Sequence, residues 1–176
     1  DTPLDRLWLD DPDAFTDEDW VAFRDSGVDT LALGHGPASF DDAMRHLARW
    51  NGFLASNSDR FARIDSVDDF ARAREAGKFG VILSYQNSTH FRGPDDVETF
   101  HDLGQRISQL TYNYQNLLGA GFLEHRDGGL TVFGHRVMER MEEVGMAVDV
   151  SHSADRTTLD ILDAATRPVI FSHANP

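Results

Sequence analysis

The sequence predicts an α/β protein, a parallel (β/α) barrel of the TIM type that is incomplete in this chain, and three observations predict it. A helix, a glycine or turn and a short β-branched strand recur in that order five times, the alternation that builds a parallel sheet. Two of the strands, Val81-Ile82-Leu83 and Val169-Ile170-Phe171, are apolar at every position, as strands covered on both faces must be. At 176 residues the chain suits one domain over 1–176 but falls short of the roughly 250 residues of an eight-stranded barrel, so the closing strands are expected outside this numbering.

The elements follow from local chemistry. Thr16-Asp17-Glu18-Asp19 opens the first helix as a capping-box variant, Ser26-Gly27 closes it, and a strand near 28–33 runs toward His35. Phe40, Ala43, Met44, Leu47, Trp50 and Leu54 recur at helical spacing and give a second helix over 39–57 with one apolar stripe. A third helix over 67–76 stops at Gly77, ahead of the strand 80–86. Asp95 and Asp96 favour the first turn of a helix that ends before Gly104, and the strand 107–113 follows. The glycine-containing stretch 116–129 is expected to be a loop on the working face. Val137, Met138, Met141 and Val144 mark the next helix, Gly145 ends it, and strand 146–151 follows; helix 157–165 then leads to strand 168–172, opened by Pro168.

Composition narrows the chemistry. There is no cysteine, so a metal site can use only nitrogen and oxygen donors. A net charge of -14 argues against a nucleic-acid partner, which calls for clustered Lys and Arg. No apolar run approaches the ~20 residues of a membrane span, and residues 1–10 lack the basic start and apolar centre of a signal peptide. A soluble, cytoplasmic protein acting on a small molecule is expected, and a homo-oligomer is compatible with the composition.

The candidate site residues sit where strands run out. Val148-Asp149-Val150-Ser151-His152 and Val169-Ile170-Phe171-Ser172-His173 are one βα repeat apart, and the carboxyl ends of barrel strands form the working face. With Val150 and Phe171 taken as inward-pointing two residues back, both imidazoles aim at the barrel axis and can share a metal ion. The same parity turns Asp149 toward the helices, as an outer partner of a ligand. Gln86 and Asn87 end one strand and Tyr112 and Asn113 the next, placing neutral polar groups on that face; Gln86 is read as a site residue, whereas Asn87 and Asn113 serve equally well in satisfying loop backbone. His35, His90 and His125 also lie at strand ends or just after them and are second-tier site candidates, read singly more simply as ordinary loop histidines; His46, His101 and His135 fall on helices.

Three segments in order and spacing, Gly129-Leu130-Thr131-Val132-Phe133-Gly134, Gly145-Met146-Ala147-Val148-Asp149-Val150-Ser151-His152 and Arg167-Pro168-Val169-Ile170-Phe171-Ser172-His173-Ala174-Asn175, resemble motifs of the membrane (renal-type) dipeptidases, peptidase family M19. Weaker similarity runs back through Leu110-Thr111-Tyr112-Asn113 to Gly77. The strand-end positions make Tyr112 the candidate catalytic group and Gln86 and Asn113 the candidate substrate contacts, and the resemblance implies a zinc-dependent barrel hydrolase of dipeptides with His152 and His173 as metal ligands. It also marks departures. Gln86 stands where the family has a glutamate bridging two metals, and a neutral amide holds a second cation poorly. Tyr112 stands where the family places a substrate-contacting histidine, and its phenol can donate to an oxyanion. The family's first-strand His-x-Asp pair and last-strand acid are not seen in the sequence. Two further functions fit the same residues: hydrolysis of another small C–N bond, and a catalytically inactive barrel that binds a small ligand.

Overall fold

The computed structural model describes residues 15–174, and over them helix and strand alternate. Helix α1 (Asp17–Asp25) leads to β1 (Thr30–Ala32), α2 (Phe40–Ser56) to β2 (Phe61–Arg63), and α3 (Val67–Glu75) to β3 (Phe79–Tyr85). Helix α4 (Pro94–Asp102) precedes β4 (Gln105–Gln109), α5 (Val132–Val144) precedes β5 (Ala147–Asp149), and α6 (Asp155–Ala164) is the last. The reading of residues 1–10 concerns a segment outside the described residues.

Strand β3 organises the sheet. β1 lies parallel to it through Leu31↔Val81, and His35 bridges to Tyr85 at its far end, so β1 holds one edge along its whole length. On the opposite edge β2 pairs with the first half (Ala62↔Gly80) and β4 with the second (Tyr85↔Ser108). The register shifts between Leu83 and Ser84, where one neighbour gives way to the next. β5 continues the sheet on β4 through Ser108↔Val148, and Asp149 bridges to Ile170. Every one of these pairings is parallel. This is the sheet of a TIM-like barrel, not closed among the described residues.

Three differences from the sequence reading have physical causes. β2 was not expected: three residues, one of them Arg63, carry almost no periodic signal, and pairing with β3 makes the strand. The strand expected over 107–113 starts earlier, because Gln105 already pairs with Leu83 of β3, and stops earlier, at Gln109, the last residue paired with β5. The strand expected over 168–172 is reduced to a bridge in which Ile170 donates to Val148 O and accepts from Val150 N, both at 3.0 Å.

Packing fixes which face of the sheet carries chemistry. In β3 the alternate residues Phe79, Val81, Leu83 and Tyr85 are buried against the helices, together with Leu47, Trp50 and Phe53 of α2. Each such burial contributes about 1.5–3 kcal/mol. The intervening Ser84 and the following Gln86 turn to the other face and line a cavity. Ser39 holds α2 in register by accepting from Asp42 N at 3.2 Å. α5 begins where Thr131 accepts from Gly134 N at 2.9 Å and ends at Gly145, whose φ of 85° suits glycine.

Candidate active site

A cavity of about 660 Å³ opens at the carboxyl ends of the strands, lined by Gln86, Tyr112, Phe122, Asp149, His152 and His173 among others. Each of these follows, or ends, a strand of the parallel sheet, which is where an α/β barrel presents its working residues. The sequence-predicted residues Gln86, Tyr112, His152 and His173 therefore share one cavity. Asn113 touches it indirectly, through His152.

His152 is the most constrained of them. Its φ is 63°, alone in the left-handed region among the described non-glycine residues. Such a backbone costs energy and persists where the surroundings over-determine it. Those surroundings are specific. The imidazole stacks on Tyr112 with centroids 4.2 Å apart and planes at 24°, Nδ1 lies 3.0 Å from Asn113 Oδ1, and its carbonyl accepts from Phe122 N at 2.9 Å. The loop bearing Phe122 can come this close because residue 121 is glycine: a Cβ there would collide with the backbone of Tyr112 and Asn113. Burial pushes the His152 pKa below the ordinary imidazole value, His173 lowers it further, and Asp149 acts in the opposite direction.

His173 faces His152 with ring centroids 4.8 Å apart. Behind it stands a polar chain. His173 Nδ1 lies 2.8 Å from Ser172 Oγ, which lies 2.5 Å from Asp149 Oδ2. Asp149 Oδ1 accepts from the backbone N–H groups of Ser151 at 2.9 Å and Ser172 at 3.2 Å.

Asp149 corrects the parity argument. Counting back from His152 turns it toward the helices, yet it lines the cavity; Val148 is buried in the core and Val150 lies where core and cavity meet. The count fails because β5 ends at Asp149 and the backbone turns left-handed at His152, which breaks the two-residue alternation. Sequence reasoning alone misses Ser151, Ser172 and Phe122; for the serines the signal is the Ser-His dipeptide repeated at 151–152 and 172–173.

The remaining strand-end histidines lie elsewhere. His35 stacks on His46 at 3.8 Å, and His90 is fully buried against Phe91 and Phe100. Burial lowers the pKa of His46 to about 3 and of His90 to about 4, so both stay neutral. His125 is exposed. Asn87 accepts from Asn116 Nδ2 at 3.0 Å, tying two loops together. Among the described residues no group of three or more His, Asp and Glu side chains is arranged to hold a metal ion.

The model of the family described as membrane dipeptidase (Peptidase family M19) matches residues 19–176. The chain belongs to that family. Among curated relatives of this M19 chain, dipeptidase tcpJ of Claviceps purpurea is 28% identical over 155 residues, covering 80% of this chain and 36% of the relative. Among solved structures, an amidohydrolase from Pseudomonas aeruginosa is 31% identical with a TM-score of 0.83, over 88% of this chain and 48% of that one. The structure titled dipeptidase AC, a metallo peptidase of family M19, superposes with a TM-score of 0.83 at 16% identity, over 97% of this chain and 61% of that one, and shows the shared fold. This M19 chain thus spans about a third of the tcpJ dipeptidase and about half of the amidohydrolase. Among its described residues no helix is long and apolar enough to cross a membrane.

Proposed function

We propose that the protein is a metal-dependent hydrolase that cleaves the amide bond of dipeptides, with His152 and His173 holding the cation. The observation that carries this is the distance between the two rings. Imidazoles that bind one tetrahedral zinc through nitrogens ~2.0–2.1 Å away hold their ring centres about 5 Å apart. Here the separation is 4.8 Å. Both Nδ1 atoms are engaged, by Asn113 and by Ser172, so the Nε2 atoms are left for a ligand. The donor set is neutral nitrogen, which suits zinc and leaves its charge uncancelled.

A divalent cation bound there supplies Lewis acidity and lowers the pKa of water toward neutrality. The chain's own groups do the rest. Tyr112, stacked on His152 at the cavity wall, places a phenol that can donate a hydrogen bond to a developing oxyanion. Phe122 and Phe171 give the cavity an apolar rim that limits water around the scissile bond. Asn113 sets the orientation of His152 through Nδ1, beside the substrate contact expected of it. Gln86 lines the cavity with its side chain packed over Gly34, where a Cβ would strike the amide. A neutral amide at that position favours one cation over two. It also supports a second reading in which the substrate is another small C–N compound, in keeping with the name amidohydrolase carried by the relative 31% identical to this chain.

Metal analysis of the purified native protein, followed by assays on a dipeptide panel with zinc, manganese or cobalt supplied, tests the proposal. One bound cation per chain and release of free amino acids are expected. No bound cation and no hydrolysis would end it, leaving a barrel that only binds a ligand; turnover of acylated amino acids without dipeptides would select the second reading.

A further inference from the structure

The hydrogen-bond chain behind His173 has one consistent arrangement of protons, and it decides which ring nitrogen meets the cavity. Asp149 receives two backbone N–H groups on Oδ1 and has Ser172 Oγ 2.5 Å from Oδ2. A carboxylate only accepts, so the single hydroxyl proton of Ser172 is committed to Asp149. Ser172 Oγ can then meet His173 Nδ1, 2.8 Å away, only as an acceptor. The hydrogen in that contact is on Nδ1, and the lone pair is on Nε2. The neighbouring serine agrees: Ser151 Oγ accepts the His173 backbone N–H at 3.2 Å, which frees its own proton for Ser172 Oγ at 3.3 Å. Ser172 Oγ thus uses both lone pairs and its hydrogen, and no donor is left over.

We infer that Asp149, acting through the Ser172 hydroxyl, is a positioning residue that fixes His173 as the Nδ1–H tautomer and so turns the Nε2 lone pair toward the cavity. The inference rests on the reading of His173 as a cation ligand for its purpose, though not for its geometry. The opposite tautomer would aim an N–H at the cation and could not bind it. The sequence logic is compact: one carboxylate at the end of β5 serves the imidazole that ends the next βα repeat.

Nitrogen-15 NMR of the metal-free native protein, labelled at histidine and held at a pH where the ring is neutral, tests this directly, because two-bond proton–nitrogen correlations distinguish the tautomers. The wild type is expected to show His173 with hydrogen on Nδ1. Asp149→Asn keeps the shape and the Oδ1 acceptor but puts an amide N–H₂ against Ser172 Oγ; the hydroxyl proton is released toward His173 and the ring is expected to switch to Nε2–H. Zinc affinity should then fall by about 10–100-fold, the usual cost of removing such a partner. Ser172→Ala should give mixed tautomers and a similar loss, Ser172→Thr should restore both, and this pair carries the test should Asp149→Asn fail to fold. A wild-type His173 with hydrogen on Nε2, or an unchanged tautomer in both Asp149→Asn and Ser172→Ala, overturns the inference. A tautomer that switches as described in a protein that binds no zinc supports the inference and overturns the ligand reading instead.

Discussion

Tyr112 and His152 form a parallel stack, 4.2 Å between ring centroids at 24°, which joins the loop after β4 to the loop after β5 at the cavity wall. The ring supports the imidazole, and the proposed function gives the hydroxyl a separate duty, donation to an oxyanion. Tyr112→Phe keeps the first and deletes the second. Zinc affinity is therefore expected to stay within about twofold while kcat falls about 100-fold, the scale of losing one oxyanion donor. Tyr112→Ala should lower both. Isothermal titration with zinc beside steady-state kinetics on the two variants separates the duties; equal kcat in Tyr112→Phe and wild type would remove the phenol from the mechanism.

His152 and His173 are partly exposed at the cavity mouth, so changing either to Ala costs little core packing. Metal content is expected to fall to background in each variant, a larger loss than the 10–100-fold of an outer partner. Melting temperature of the metal-free form should move by only a few degrees, as about 1 kcal/mol produces. A variant that retained stoichiometric zinc would exclude that histidine as a ligand.

What could be read in the sequence followed the strength of local signals. Val81-Ile82-Leu83 has the length and composition of a buried parallel strand, and the Ser-His endings of 148–152 and 169–173 announced a shared face. Phe61-Ala62-Arg63 has no such signature, because its strand character comes from β3 beside it. Asp149 was misplaced because alternation holds only inside a strand, and the left-handed turn at His152 lies beyond it. The role of Ser172 depends on a partner 23 residues away in sequence, which no local pattern encodes.

The buried histidines behind the sheet make stability depend on pH. His46 in the fold stays neutral down to about 3 and His90 to about 4, both held down chiefly by burial, whereas in the unfolded chain each titrates near 6.5. Below pH 6.5 the unfolded state binds more protons, so stability present at pH 7 and above is lost as pH falls from 6.5 toward 4. Each group should contribute about 2 kcal/mol of loss between pH 7 and pH 5. Urea unfolding at the two pH values measures this. His46→Leu is expected to remove about 2 kcal/mol of the difference, and a pH-independent midpoint in the wild type would contradict the assignment.

Gln86 lines the cavity that His152 and His173 share, and the family resemblance places a metal-bridging glutamate there. An amide oxygen is a neutral, weak donor that cannot offset the repulsion of two divalent cations at close range. The wild type is therefore expected to bind one zinc, and Gln86→Glu, which adds an acceptor of unit negative charge in nearly the same volume, to bind up to two. The carboxylate has room because residue 34 is glycine, so the side chain at 86 already lies over bare backbone. Titration with zinc followed by mass spectrometry under native conditions counts the ions. The first site should also tighten in Gln86→Glu, since a carboxylate lowers the energy of any nearby cation. Unchanged stoichiometry and unchanged affinity would mean that residue 86 does not face the ion, and the single-cation argument would fall with it.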